Sequence, residues 1–160
     1  MMKKVAVVMG SANDMPVVQP AVSKLKEFGV PCTVRILSAH RTPVQAMEFA
    51  KNAYDDGFGV IIAAAGKAAH LAGAMAANTV LPVIGIPVKA LELDGMDALL
   101  STVQMPSGIP VATVAINGSA NAALLAVQIL AVNDEELRSR LIDQRKKAEE
   151  DILKKDSEIV

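Results

Sequence analysis

Both histidines of the sequence lie in short segments of mainly small and polar residues. His40 stands beside Arg41 in residues 38–43 (SAHRTP), and His70 lies in residues 65–71 (AGKAAHL). A histidine exchanges protons near neutral pH, and an arginine guanidinium binds phosphate or carboxylate through paired donors. The pair at positions 40 and 41 therefore predicts general acid–base chemistry on an anionic substrate, with His40 moving the proton. The alternative is a structural imidazole, which alanine-rich surroundings favour most for a partly buried His70.

An earlier segment, residues 10–14 (GSAND), has the composition of an anion-binding loop. A glycine and small polar residues ahead of a helix leave backbone N–H groups and the positive end of the helix dipole free for a phosphate. The segment lacks the glycine spacing of dinucleotide sites and the Gly-Lys-Ser/Thr of nucleoside triphosphate sites, so it predicts a mononucleotide or sugar phosphate. An ordinary tight turn, with Asp14 as the helix N-cap, is the alternative.

Nucleophilic and metal chemistry are less well supported by these segments. Ser11 and Ser38 lack the surroundings of a nucleophile elbow, so hydrogen bonding to a ligand is the better interpretation of both hydroxyls. A metal site built on the two histidines would need further ligands, and neither histidine segment contains Asp or Glu. We therefore expect no metal site.

The segments follow strands in an alternating β/α pattern. Short uncharged runs with β-branched residues are typical of strands covered on both faces, and apolar spacing with caps and glycine stops predicts helices between them. The predicted strands cover residues 5–9, 33–37, 60–63, 83–86 and 110–116, and predicted helices lie within 14–29, 42–57, 68–77, 96–103, 121–130 and 133–157. This pattern predicts a flavodoxin-like, three-layer α/β sandwich with a five-stranded parallel sheet and a C-terminal helix.

The C-terminal helix begins, on this interpretation, with Asn133 as its cap and Glu136 as the reciprocal partner. One stripe of the helix is apolar and consists of Leu137, Leu141, Ala148 and Ile152. The stripe either packs against its own domain or docks on another subunit.

Loops that follow parallel strands meet at one edge of the sheet, where open α/β sheets bind ligands. The segments at 10–14, 38–43 and 65–71 each follow a predicted strand. We therefore expect Ser11 and the His40–Arg41 pair to face one shared hollow.

Composition restricts the class of protein. The 160 residues are 52% hydrophobic and 21% charged, which favours a single globular domain over residues 1–160 and excludes extensive disorder. A net charge of −1 and 2% aromatic residues argue against a nucleic-acid partner. Residues 60–88 are nearly uncharged, but Lys67, His70 and two prolines argue against a membrane span. Cys32 is the one cysteine, so the sequence favours a reducing cytoplasm.

Three motifs together resemble those of one enzyme family, and they occupy residues 8–14 (VMGSAND), 38–43 (SAHRTP) and 65–71 (AGKAAHL). Further matches follow in the expected order at 81–88 (LPVIGIPV), 104–113 (QMPSGIPVAT) and 121–126 (NAALLA). Over roughly residues 4–131, the chain resembles the bacterial-type (class I) carboxyaminoimidazole ribonucleotide mutases of purine biosynthesis, the PurE family.

The resemblance implies an isomerase that interconverts N5-carboxyaminoimidazole ribonucleotide and 4-carboxy-5-aminoimidazole ribonucleotide, with no cofactor and no metal. In the family mechanism the carbamate loses CO₂, the closed pocket retains this CO₂, and the ring carbon recaptures it. His40 matches the histidine that handles the proton on that carbon. The implied partners are the ribonucleotide substrate, transient CO₂ and other copies of the chain in a homo-octamer.

The resemblance also assigns positions that contact the ligand. Ser11, Asp14 and Arg41 match positions that hold the ribose and phosphate, whereas Ser38 and His70 match positions that line the base. The substrate-binding residues expected in full are Ser11, Asn13, Asp14, Ser38, Ala39, Arg41, Gly66, Lys67, His70 and Leu71.

The chain departs from the family pattern mainly around the third motif. Asn13 replaces the usual serine, Ala64 and Lys67 stand where the family has glycine, and Ala72 and Ala74 replace its proline and methionine. The side chain at position 67 either clashes with the ligand, pairs with the ligand carboxylate or points to solvent, and a positive φ there would strain it. Two alternatives stay open: direct carboxylation of aminoimidazole ribonucleotide by CO₂, and a non-catalytic nucleotide-binding role.

Overall fold

The computed structural model describes residues 2–159 and contains a parallel sheet of five strands in the order β2-β1-β3-β4-β5. The strands are β1 (Lys4–Met9), β2 (Cys32–Ile36), β3 (Phe58–Gly66), β4 (Val83–Val88) and β5 (Ala112–Thr113). This strand order is that of flavodoxin-like sheets, so the predicted fold class is confirmed. The order reverses between β1 and β3, which places the topological switch point at the centre of the sheet.

Six α-helices within residues 2–159 cover the two faces of the sheet. They are α1 (Met15–Glu27), α2 (Pro43–Asn52), α3 (Leu71–Ala76), α4 (Met96–Val103), α5 (Ser119–Ala131) and α6 (Glu135–Ser157), and a 3₁₀ turn (Ala12–Asp14) precedes α1. Helices α1, α5 and the start of α6 pack on one face, whereas α2 and α3 pack on the other. The three layers arise because β1, β3 and β4 are apolar on both faces and must be covered twice.

Three elements differ in length from the sequence-based prediction. Strand β3 extends through Gly66, because Ala64, Ala65 and Gly66 continue the pairing with Ile86, Pro87 and Val88. Strand β5 has two paired residues instead of the predicted 110–116, since Pro110 has no N–H to donate and the chain turns at Asn117, whose φ is 57°. Helix α3 begins only at Leu71, because residues 67–70 form a loop that includes Lys67 at a φ of 53°.

Helix α6 begins one residue later than predicted. Its N-cap is Asp134, whose carboxylate accepts a hydrogen bond from the backbone N–H of Leu137, so the assignment of Asn133 as the cap was wrong. Asp134 has the extended backbone that an N-cap requires. Of the predicted apolar stripe, Leu137 and Leu141 are buried against their own domain, whereas Ile152 is 64% exposed. Only the first half of α6 therefore contributes to this core.

Candidate functional site

A cavity of about 470 Å³ opens at the carboxyl ends of β1, β2, β3 and β4. Its lining comes from the last residues of β3 and β4 and from the segments that follow the four strands. It consists of Gly10, Ser11, Asn13, Asp14, Ser38, Ala39, His40, Arg41, Ala65, Gly66, Lys67, Ala68, His70, Leu71, Val88, Lys89 and Ala90. All eleven residues proposed from the sequence, His40 and the ten substrate-binding positions, lie in this lining. The parallel sheet thus brings separate sequence motifs to one place at its switch point.

The loop after β1 lines one end of the cavity through Ser11, Asn13 and Asp14. Ser11 caps the 3₁₀ turn, and its hydroxyl accepts a hydrogen bond from the Asn13 N–H over 3.2 Å. Helix α1 follows directly, so the positive end of its dipole points towards this end of the cavity. The geometry suits an anion with several acceptor oxygens, such as a phosphate.

Asp14 lies at the start of α1 but makes no capping hydrogen bond with its side chain, so it is not the ordinary N-cap that the sequence allowed. The carboxyl is half-buried, and burial raises its pKa above the ordinary value of 3.8, against the opposing effects of a Ser11 backbone hydrogen bond and the charge of Arg41. Because the Asp14 carboxylate lines the cavity and accepts no hydrogen bond from the N–H groups at the start of α1, it is available to a ligand. Sugar hydroxyls are suitable donors to it.

The loop after β2 is ordered by two hydroxyl groups. The Ser38 hydroxyl accepts the N–H groups of His40 and Arg41 over 3.3 and 3.1 Å, and the Thr42 hydroxyl accepts the Ser38 N–H over 2.8 Å. The Arg41 guanidinium then donates to the carbonyl of Gly10, which fastens this loop to the one after β1. Short side chains that bond to nearby backbone therefore set the direction of both His40 and Arg41.

His40 and His70 come from loops 30 residues apart in the chain and meet across the cavity. Nε2 of His40 lies 2.8 Å from Nδ1 of His70, and the rings are nearly perpendicular at 88°. One nitrogen must donate and the other accept, so the contact requires at least one neutral ring. His70 is exposed at the cavity rim, because it lies in the loop just before α3, which corrects the expectation of a partly buried imidazole.

Lys67 adopts a left-handed backbone conformation with a φ of 53°, which is unfavourable for residues other than glycine. Its ammonium lies 2.7 Å from the Glu92 carboxylate in the segment between β4 and α4. The hydrogen bond and charge of Glu92 raise the pKa of Lys67, and Lys67 in turn lowers the pKa of Glu92. The Lys67 side chain therefore pairs with a carboxylate of its own chain.

The end of β4 and the loop after it complete the cavity with Val88, Lys89 and Ala90, which the sequence-based site did not include. The Lys89 N–H donates to the Asn117 side chain over 2.9 Å, and the Lys89 ammonium lies 2.9 Å from the Asp94 carboxylate. This loop carries no histidine or glycine-rich signal. The rule that loops after parallel strands line the site would still have pointed to it.

The cavity combines acid–base groups with charges suited to an anion. Its lining includes the two histidines, the cations Arg41, Lys67 and Lys89, and the one carboxylate of Asp14. Within residues 2–159, no group of three or more His, Cys, Asp or Glu side chains could hold a metal ion. In the same range, no helix combines the length and the apolar character that crossing a membrane requires.

Comparison with known proteins places the chain in a family. The AIR carboxylase family model matches residues 4–151. An N5-carboxyaminoimidazole ribonucleotide mutase of Pyrococcus horikoshii is 55% identical over 150 residues, which cover 91% of this chain and 85% of the relative. A chloroplastic phosphoribosylaminoimidazole carboxylase of Vigna aconitifolia is 51% identical over 92% of this chain, which spans 26% of that longer protein.

The crystal structure of Treponema denticola PurE superposes with a TM-score of 0.88 at 31% identity and covers 97% of both chains. The likeness therefore extends over the whole sheet, the helices and the loops that form the cavity. From the matched family model and the identity with these relatives, the chain belongs to the AIR carboxylase family.

Proposed function

We propose that this protein interconverts N5-carboxyaminoimidazole ribonucleotide and 4-carboxy-5-aminoimidazole ribonucleotide in purine biosynthesis. The proposal depends chiefly on one observation: His40 shares a cavity of about 470 Å³ with Ser11 and Arg41. An acid–base group and two phosphate-binding groups therefore surround a space of the size that a single nucleotide needs. The 55% identity with a protein named as this mutase supports the same conclusion.

The phosphate and ribose of the substrate belong, on this proposal, at the β1 end of the cavity. Ser11, Asn13 and the amino terminus of α1 supply N–H and polar donors to the phosphate, and Arg41 supplies a charge-assisted donor. Asp14 accepts hydrogen bonds from the ribose hydroxyls. Once these contacts fix the sugar phosphate, the aminoimidazole ring extends between Ser38, Ala39 and His70.

The reaction then exchanges one bond for another without a net change in protons. The carbamate C–N bond breaks and releases CO₂, the exocyclic amine gains a proton, and the ring carbon attacks the same CO₂. His40 takes the proton that this ring carbon loses. Gly66 and Leu71 lie in the β3 side of the wall. This wall keeps CO₂ beside the ring and so favours recapture over escape.

The experiment is an isotope-retention assay with the purified protein. Carbamate substrate carrying ¹³C in its carboxylate is converted in the presence of unlabelled bicarbonate, and the product is analysed by mass spectrometry. Retention of the label during turnover supports the mutase. Loss of the label to bicarbonate at the rate of turnover would contradict it, and binding without interconversion would indicate a non-catalytic family member.

Direct carboxylation of aminoimidazole ribonucleotide by CO₂ is the second candidate. The specific observation in its favour is the 51% identity with a plant protein named as a carboxylase. The two reactions share the attack of the ring carbon on CO₂ and the proton transfer by His40, and they differ in where the CO₂ originates. Incorporation of labelled bicarbonate with aminoimidazole ribonucleotide as the sole substrate would favour this second activity.

We further propose a cytoplasmic location and assembly into a homo-octamer. The single cysteine of the sequence, Cys32, agrees with a reducing compartment. The octamer follows from the family resemblance, and exposed apolar side chains on α4 and α6, including Leu100, Val103 and Ile152, support burial against other copies.

A further inference from the structure

Two lysines project from neighbouring strand ends beside the cavity. Gly66 and Val88 are the last paired residues of β3 and β4, so Lys67 and Lys89 each lie one position beyond that pair. Adjacent parallel strands are about 4.8 Å apart, so the two backbones begin side by side. Both lysines line the cavity.

In the structure each lysine is compensated by a separate carboxylate. The Lys67 ammonium lies 2.7 Å from Glu92, and the Lys89 ammonium lies 2.9 Å from Asp94. Both carboxylates belong to the segment between β4 and α4, and neither lines the cavity. All four side chains are more than half exposed. Exposed ion pairs contribute little stability, so either pair opens readily for a competing anion.

We propose that Lys67 and Lys89 form an anion subsite for the carboxylate of the substrate, which competes there with Glu92 and Asp94. This inference rests on the proposed function, because it is that substrate which carries a carboxylate in addition to its phosphate. Both ammonium groups already bind carboxylate oxygens at hydrogen-bonding distance. A ligand carboxylate can therefore replace the Glu92 or Asp94 carboxylate with a hydrogen bond of the same kind.

The charge distribution in the cavity determines which anion goes where. Arg41 and the amino terminus of α1 lie at the β1 end and are assigned to the phosphate. Lys67 and Lys89 lie at the β3–β4 side, on which His70 also lies. A ribonucleotide that spans the cavity places its phosphate at one end and its carboxylated ring towards the other. The subsite therefore selects carboxylated over uncarboxylated ribonucleotides.

The test compares the binding of two ligands by isothermal titration calorimetry. The ligands are 4-carboxy-5-aminoimidazole ribonucleotide and aminoimidazole ribonucleotide, which lacks the carboxylate. In the double variant Lys67→Gln with Lys89→Gln, Kd for the carboxylated ligand should rise about tenfold or more, whereas Kd for the other ligand should change less than about twofold. The matched control is Lys51→Gln, because Lys51 lines a separate cavity away from this one and should leave both Kd values unchanged.

Two further variants separate a specific subsite from general electrostatics and from misfolding. Glu92→Gln with Asp94→Asn removes the competing carboxylates and should tighten binding of the carboxylated ligand alone. Lys67→Arg with Lys89→Arg retains both charges and should restore most of the preference. An equal loss of affinity for both ligands in the glutamine variant would overturn the subsite.

Wild-type protein that binds both ligands equally would also overturn the subsite and leave the proposed function intact. Protein that prefers the carboxylated ligand but does not interconvert the isomers would support the subsite and contradict the mutase. Protein that binds neither ribonucleotide would contradict both.

Discussion

At the scale of single residues, the contact between His40 and His70 restricts how many protons the two rings hold. The 2.8 Å separation of their nitrogens is a hydrogen bond only while one nitrogen is free of a proton. One of the two nitrogens therefore donates and the other accepts. The same geometry gives His40 a neighbour to which it can pass a proton.

Replacing His40 with asparagine tests its proton transfer. His40→Asn retains polar atoms but cannot exchange protons, so kcat should fall by about 10²–10⁴-fold while the Kd of the product stays within a few-fold. Steady-state kinetics and calorimetry measure the two quantities. His70→Asn is the comparison and should have the smaller effect on kcat. A His40 variant with nearly normal turnover would refute the assignment.

Asp14 predicts a pH-dependent difference in stability. Burial raises its pKa in the folded protein above 3.8, so ionisation at neutral pH disfavours folding. Asp14→Asn should therefore raise Tm at pH 7, by about 1–2 °C because the half-exposed group is screened by solvent. The gain should shrink as the pH falls through the raised pKa and vanish below the unfolded value. Calorimetric scans from pH 7 to pH 3 provide the comparison, and a gain that grows towards acid pH would be inconsistent with it.

Lys67 allows the strain of a left-handed backbone to be measured. Lys67→Gly and Lys67→Ala both remove the ion pair with Glu92, but only glycine is comfortable at a φ of 53°. The glycine variant should be more stable than the alanine variant by about 1 kcal/mol in urea unfolding. Equal stability of the two would show that the backbone at this position is unstrained.

At the scale of secondary-structure elements, the start of α6 depends on one of two adjacent polar residues. Asn133 and Asp134 both have side chains that cap helices, and the reciprocal Glu three positions on favoured the first. The structure assigns the cap to Asp134, whose carboxylate reaches the Leu137 N–H over 3.0 Å. The apolar stripe of α6 did not depend on this choice, and Leu137 and Leu141 are its buried members.

The cap gives a prediction with a matched control at the neighbouring position. Asp134→Ala should lower the free energy of unfolding by about 1 kcal/mol, because an N–H at the helix start loses its acceptor and the dipole loses a favourable charge. Asn133→Ala should change stability by only a few tenths of a kcal/mol. Urea unfolding of the two variants measures the difference, and the reverse order would make Asn133 the cap after all.

The central strands were predictable because their sequences are typical of strands that are buried on both faces of a sheet. Val5–Met9 and Val83–Ile86 are uncharged runs with β-branched residues, which suit strands buried on both faces. The limits of β5 were not predictable, because they depend on which residues of an edge strand find partners on β4. The cavity was foreseen where a loop carried a recognisable motif. Lys89 was missed because its loop carries no recognisable motif, and only the position of that loop after a parallel strand indicates the site.

At the scale of the whole molecule, apolar surface remains on elements that already pack against the sheet. Leu100 and Val103 on α4 are 51% and 46% exposed, and Ile142 and Ile152 on α6 are at least as exposed. Large apolar side chains left in solvent also occur at surfaces that bind other proteins. In the proposed octamer they are buried between copies of the chain.

Native mass spectrometry and sedimentation velocity test this assembly. The expected species has eight times the 16.7 kDa mass of the chain and persists on dilution to micromolar concentration. Val103→Glu should shift the distribution towards smaller species, since a charge at a buried contact lacks a partner. A Gln19→Glu variant on exposed α1 surface is the control. A wild-type monomer at all concentrations would contradict the octamer.

The brevity of β5 also affects how copies of this chain avoid pairing by their sheets. A long, flat edge strand offers unpaired N–H and C=O groups to any passing strand, which leads to aggregation. Here the edge has two paired residues, Pro110 stands just before them, and the chain turns away at Asn117. An incoming strand therefore finds few groups to bond with along this border. We therefore expect this border of the sheet to contribute little to strand-to-strand aggregation between copies of the chain.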